Sequence, residues 1–325
     1  MAGVLYFVTS YRRPEQVLRL AGTISRESPQ AEILIHHDQF RSKLDPSELR
    51  DVAPGAHLLT SPRPLRWGDF SVVDMHWRSF EWASKHLAFD WMVLLSEQDY
   101  PVWPIDRTEH LLRDSGADAF LKAGAVDPRP PLSDALSYHR YFYSYRAFPG
   151  APTAHRLPVP WAEPWRAWRQ RAVNRINRHD GQPVRVETYP DGMPTRIGIR
   201  RRSSPFSSSF PCWVGKAWFA ISRRAVTEIV SYTSSHPAYR RHYEWTIVPE
   251  ESATATIVLN SSGLRVVAQE LHFERWSDRF SGHPDVFGKD DLEEIVASGK
   301  PFARKFDLET DPEVMDAVDA IRRTA

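Results

Sequence analysis

An α/β fold, with a mostly parallel central sheet flanked by helices and broken by an irregular insertion, follows from three features of the 325-residue chain. Short apolar runs and helical periodicities alternate through its first third, the pattern of strand–helix–strand units. Trp91–Leu95 is the clearest core strand, and it runs into the polar segment Ser96-Glu97-Gln98-Asp99. Between Lys122 and Trp213 the periodicity lapses into a stretch dense in proline, aromatics and arginine. The chain therefore reads as one domain over residues 1–325, with regular parts at 1–121 and 214–325 and the insertion at 122–213.

Val4–Thr9 is the first buried strand. Pro14 suits the first turn of the helix that follows, and Val17, Leu20, Ala21 and Ile24 recur on one face of it. Glu32–His37 is a second strand, ending in His36, His37 and Asp38. Ligands in open α/β sheets bind beyond the carboxyl ends of strands, so Ser10/Tyr11 and His37/Asp38 are placed for contact. His57–Thr60 is a short strand; after the turn Pro62–Phe70, Ser71 and Asp74 mark a helix start, with Val73, Trp77 and Phe80 on the buried side. Asp106 and Glu109 cap the next helix. Past the insertion, Ala217–Ile221 is a strand and a helix begins near Ser222. Pro249-Glu250-Glu251 opens another helix, Leu264–Ala268 is a strand, and helices close the chain near Asp290–Val296 and from about Asp311.

Lys plus Arg (42) nearly cancels Asp plus Glu (41), which removes the broad positive field of a nucleic-acid binder; the run Arg200–Arg202 is its only local remnant. Met1–Ser10 has no basic leader, and no run approaches the ~18 apolar residues that span a bilayer. The single cysteine, Cys212, excludes an intrachain disulfide and suits a reducing compartment. A cytoplasmic protein is expected, with the Arg, Ala and Pro bias of a bacterial one.

Two constellations could carry chemistry. In Val248-Pro249-Glu250-Glu251-Ser252, two carboxylates at a helix start would be kept ionised near neutral pH by the backbone dipole, and an ionised carboxylate can take a proton from a hydroxyl. The same pair also serves as ordinary helix-start residues. In Phe302-Ala303-Arg304-Lys305-Phe306, two cations between aromatics could neutralise a diphosphate leaving group, or simply lie on a solvated surface. Arg66-Trp67-Gly68-Asp69-Phe70 is a turn where a cation and an aromatic could flank a nucleotide. His36, His37 and Asp38 alternate across a strand end and cannot all hold one metal ion, so the histidines read as supporting residues. Trp77, Trp82 and Trp91 read as core, whereas Trp161, Trp165, Trp213 and Trp245 could equally offer faces to a sugar.

In order along the chain, Ser10-Tyr11-Arg12-Arg13-Pro14, His36-His37-Asp38, Trp67-Gly68-Asp69-Phe70-Ser71, Leu94-Leu95-Ser96-Glu97-Gln98-Asp99-Tyr100-Pro101, Gly215-Lys216-Ala217-Trp218-Phe219, Pro249-Glu250-Glu251, Leu259-Asn260-Ser261 and Phe302–Phe306 resemble the core-2/I-branching β-1,6-N-acetylglucosaminyltransferases and peptide O-xylosyltransferases, glycosyltransferase family 14. The resemblance implies a GT-A fold and inverting, metal-independent transfer of a sugar, N-acetylglucosamine or xylose, from a UDP-sugar to a hydroxyl of a carbohydrate, peptide or small molecule. No cofactor is implied, and no Asp-x-Asp for a metal follows Asp38 or Asp99. Glu251 falls on the family's catalytic base and Lys305 on its diphosphate-binding lysine. The family's upstream arginine falls opposite Gly282, which leaves Arg275, Arg279 or Arg304 for its part. Donor contacts are further expected at Ser10, Asp38, Arg66, Trp67 and Asp99, and acceptor contacts at Tyr100, Trp213 and Glu250. On these terms residues 1–121 are the nucleotide-binding half, the insertion belongs to the acceptor, and 214–325 supply the base and the diphosphate site. A non-catalytic nucleotide-sugar or glycan binder on the same fold is the alternative.

Overall fold

The computed structural model describes residues 3–129, 135–148, 168, 171–178, 181–188, 195–277 and 283–324. Seven strands make the central sheet, labelled here β1 (Gly3–Ser10), β2 (Glu32–His37), β3 (Ala56–Thr60), β4 (Phe89–Ser96), β5 (Ala119–Phe120), β6 (Ala220–Ser222) and β7 (Val266–Val267). Their order is β3-β2-β1-β4-β6-β5-β7, and all run the same way except the reversed β6. The mostly parallel α/β sheet expected from the sequence is thus present. In register, Ser10 faces His37 and Thr9 faces Ser96, so β1, β2 and β4 end level with one another. After β1 the chain goes to β2 and β3 on one side, then returns to lay β4 on the other. Such a reversal opens a crevice beyond the strand ends, here between β1 and β4.

Both faces of the sheet are covered at its centre, which is why β1 and β4 are largely apolar. Leu5, Phe7, Met92 and Leu94 pack toward the helices Phe70–His86, Arg223–Ser235 and Ala253–Asn260. Val4, Tyr6, Val8, Trp91, Val93 and Leu95, one residue out of phase, pack toward Pro14–Glu27, Ile105–Asp114 and Glu313–Thr324. Among the described residues no helix is long and apolar enough to cross a membrane.

Several local expectations change. Helix Phe70–His86 is capped by Asp69, whose side chain accepts from the Ser71 N–H, not by Ser71. Asp106 lies inside the first turn of Ile105–Asp114, where no side chain caps, and the buried Glu109 instead accepts from the Tyr6 hydroxyl at 3.3 Å. Pro249–Glu251 is a separate 3-10 turn ahead of helix Ala253–Asn260. The insertion is more regular than its composition suggests. Helix Ala135–Phe142 leads into an antiparallel sheet of Tyr143–Ala147, Arg196–Arg200 and Val184–Glu187, and Ala123–Ala125 pairs with Trp213–Gly215. Of the aromatic candidates there, Trp161 and Trp165 lie outside the described residues, as do Arg279 and Gly282.

Candidate functional site

Just past β4, Tyr100–Pro101 joins a small three-stranded sheet in which Phe302–Arg304 pairs with it on one side and with His272–Glu274 on the other. That pairing sets Arg304 opposite Glu274 and close to Asp99. The Asp99 carboxylate accepts from the Ser96 backbone N–H and, at 2.6 Å, from the Ser96 hydroxyl, and its Oδ1 lies 2.9 Å from Arg304 Nε. Burial raises the Asp99 carboxyl, with Arg304 as the opposing influence. The Arg304 guanidinium lies 4.0 Å over the Trp218 ring, and its Nη1 is 3.8 Å from Glu274. Glu274 also meets Lys216 Nζ at 3.3 Å. His272 stacks between Phe302 and Trp218, and burial with Arg304 beside it lowers its imidazole to about 3, so it is neutral.

Lys305, next along, is pinned through its backbone: its N–H donates to the Asp285 carbonyl at 3.2 Å and its C=O accepts from Phe287 at 2.8 Å. Its half-buried ammonium has no ion-pair partner among the described residues. Burial, then the charges of Arg304 and Arg12, bring it down to about 8.

The second half of the site is the turn at Pro249–Glu251. Val248, a β-branched residue, holds the left-handed conformation there (φ 49°), a strain of about 1–3 kcal/mol that persists only where its surroundings impose it. Those surroundings are visible: the Val248 N–H donates to the Gly68 carbonyl at 3.0 Å, and its C=O accepts from the Tyr141 hydroxyl at 2.9 Å. Glu251, partly exposed, takes a 2.6 Å ion pair from Arg140 Nη1. Burial raises its carboxyl above the ordinary range, Arg140 opposes this, and the field of Glu274 adds to it. Glu274 is thus near enough for its charge to be felt at Glu251. Glu250 points the other way, buried, accepting from the Gly68 N–H at 3.3 Å. Burial and its neighbour Glu251 push it up to about 8. The expectation that a helix dipole keeps both carboxylates readily ionised is therefore overturned: they sit outside the α-helix, and desolvation dominates.

The remaining expected residues divide. Ser10 is buried against His37 Nδ1 at 2.9 Å. Asp38, fully buried, accepts from the N–H groups of Phe40 (3.1 Å) and Leu65 (2.8 Å), so it braces the loop that carries Arg66 and Trp67. Arg66 is exposed, and Trp67 keeps 47% of its surface open. Gly68, at φ 71°, ties that turn to the Glu250–Glu251 turn through both its N–H and its C=O. Trp213 is half-buried, its backbone N–H donating to Thr256 Oγ1 at 2.9 Å. Tyr100 is a correction: no part of it is exposed, and its hydroxyl bonds Asp319 at 2.8 Å and lies 3.0 Å from that of Thr23, so it anchors the last helix and offers no face to a sugar. Glu250 is a second correction: buried beneath Trp67-Gly68 and bonded to the Gly68 N–H, it is not open to an acceptor. His36 (with Ser79 and Ser61) and His37 (with Ser10 and Ser42) serve as buried supports. Among the described residues no group of three or more His, Cys, Asp or Glu side chains could hold a metal ion.

Sequence reasoning missed Arg140, Glu274, His272 and Glu97. The last could have been found, since it is the second residue of the segment that ends β4. The others are brought in by pairing that no local pattern records.

Residues 6–132, the half of the site that holds β1, β2, β4 and the Trp67 turn, match the family model described as Core-2/I-Branching enzyme. Over those residues the chain is similar to the core-2/I-branching enzymes. Among curated proteins it is similar to the beta-glucuronosyltransferases GlcAT14A and GlcAT14B of Arabidopsis thaliana, at 32% identity over 123 residues and 29% over 124. Each match takes in 37% of this chain and only 27% and 28% of those proteins, so the core-2/I-branching likeness spans about a quarter of their length. Among solved structures, HddC from Yersinia pseudotuberculosis matches over 69% of this chain and 78% of its own at 7% identity, with a TM-score of 0.29, too slight a likeness to argue from.

Proposed function

We propose that this chain is an inverting glycosyltransferase of GT-A type that moves a sugar from a UDP-sugar to an acceptor hydroxyl, without a metal ion. What supports the reading is electrostatic proximity: the charge of Glu274 is felt at Glu251, Glu274 pairs in register with Arg304, and the adjacent Lys305 has no ion-pair partner among the described residues. In the reaction, Glu251 takes the proton of the acceptor hydroxyl, whose oxygen forms the new bond to the anomeric carbon. The bond from that carbon to the diphosphate oxygen breaks on the opposite face, and UDP leaves with the electron pair. A carboxylate whose affinity for protons is raised by burial suits the first task. Cations in a desolvated crevice suit the second, the part a divalent ion plays elsewhere.

Trp67, exposed and joined through Gly68 to the base turn, is assigned with Arg66 to the donor nucleotide. N-acetylglucosamine and xylose are the sugars the sequence resemblance favours, and glucuronic acid joins them because the matched relatives are named for its transfer.

Glu251→Gln tests the scheme. Transfer, followed as UDP release with a panel of UDP-sugars and acceptors, should fall by ~10²- to 10⁴-fold while calorimetric UDP binding is kept. Near-normal turnover in the variant would remove Glu251 as the base, and a product retaining the donor's anomeric configuration would remove the single displacement.

A further inference from the structure

We propose that Arg12 is the cation that works with Lys305 on the diphosphate of the donor, and that Arg304 is a strut. The inference rests on the glycosyltransferase reading. Arg304 is engaged on three sides: Asp99 at 2.9 Å, Glu274 at 3.8 Å and the Trp218 ring at 4.0 Å. Turning it onto a phosphate would leave Asp99, fully buried, without its counter-charge, which is the costly way to break a buried pair.

Arg12 stands differently. It is the second residue past β1, at the mouth of the crevice where the chain sends β2 to one side and β4 to the other. Its Nε is buried without a hydrogen-bond partner, as Arg304 Nε is too, but unlike Arg304 it forms no ion pair with any described carboxylate. The Tyr11 ring, 5.3 Å from the guanidinium carbon to the ring centre, holds it from one side. The segment that carries it is tied to both neighbours: Arg13 pairs with Asp307 at 3.2 Å, Gln16 donates to the carbonyls of Glu97 at 2.6 Å and Phe306 at 2.9 Å, and the charge of Arg12 is felt at Lys305 and at Glu97. Glu97 is buried, with Oε1 also lacking a partner.

Two cations that raise each other's energy, with no committed counter-ion, favour the arrival of an anion that carries several acceptor oxygens. A diphosphate supplies them, and the planar fork of an arginine suits two of its oxygens at once while lysine meets a third as a point charge. Glu97 is the one carboxyl among them. Burial pushes it up to about 7, so it can take a proton as the diphosphate arrives and withdraw its own opposing charge.

The test is calorimetric titration of UDP, UMP and uridine into wild type, Arg12→Gln and Arg12→Lys. Arg12→Gln should weaken UDP tenfold or more, UMP by less, and uridine not at all, with the thermal midpoint unchanged because no ion pair is lost. Arg12→Lys, which keeps the charge without the fork, should recover part of the UDP affinity. UDP bound by Arg12→Gln as tightly as by wild type, or uridine weakened equally, would overturn the assignment while leaving the function reading in place. A lysine variant no better than the glutamine one would overturn it too. Failure of the wild type to bind any of a set of nucleoside diphosphates would bring down both.

Discussion

Arg140 offers the sharpest test of how Glu251 is tuned. Its Nη1 sits 2.6 Å from Glu251 Oε2, and both side chains are partly open to solvent. At that separation a solvent-like dielectric of 80 gives about 1.6 kcal/mol, or roughly one pKa unit, and half that dielectric gives about twice as much. Full burial values do not apply, because solvent reaches the pair. Replacing Arg140 with methionine should therefore raise the Glu251 carboxyl, already lifted by burial, by roughly one to two further units. The base works only when deprotonated. The acidic limb of the pH profile of kcat/KM should accordingly move to higher pH by that amount, while the rate on the plateau above it changes less. Glu251 can also be followed without turnover, through the ¹³C shift of its carboxyl during a pH titration. If the limb stays where it is while the carboxyl moves, Glu251 is not the base whose protonation limits the rate. If neither moves, the ion pair does not form in solution.

Two further outcomes are expected. Glu250 holds a proton in the folded protein up to about 8, well above its unfolded value, so its contribution to stability is complete below the unfolded pKa and is lost as pH rises through 8. Glu250→Gln, which keeps an acceptor for the Gly68 N–H, should remove up to about 1.4 kcal/mol per pH unit of slope from the chemical-denaturation stability between those values; an unchanged slope would show the carboxyl ionised in the fold. Transfer in excess EDTA, measured after dialysis against chelator, should equal that in magnesium or manganese, and loss of activity restored by one ion would refute the cationic mechanism.

What the sequence discloses here is what local patterning can encode. Short apolar runs place β1, β2 and β4 to within a residue or two, because a strand buried on both faces is largely apolar along its length. Ser222 marked its helix correctly, since a capping hydroxyl leaves a legible signature, and its Oγ accepts from the Ala225 N–H at 3.2 Å. The insertion was harder: Arg196–Arg200 is a strand with arginine at both ends and glycine in the middle, and it exists because the Tyr145 ring covers Gly198, where any Cβ would collide. Nothing within that segment announces a tyrosine from another strand.

Charge was the least legible property, and the reason is physical. Glu250 and Glu251 are adjacent and chemically identical, yet one is sealed beneath the Trp67-Gly68 turn and the other stays partly exposed with Arg140 as its partner. A helix-start pattern predicts the same stabilised anion for both. Desolvation sets their proton affinities instead, and desolvation belongs to the assembled turn: Val248 must be held left-handed by Gly68 and Tyr141 before one carboxyl can go inward and the next outward. The same logic separates Arg304 from Arg12. Cations beside aromatics in the sequence look alike, and only the pairing of Phe302–Arg304 with His272–Glu274 reveals that one of them is already neutralised. The groups free to act on a substrate are those the fold has desolvated and left without a partner, so in this crevice the search for function is a search for uncompensated charge.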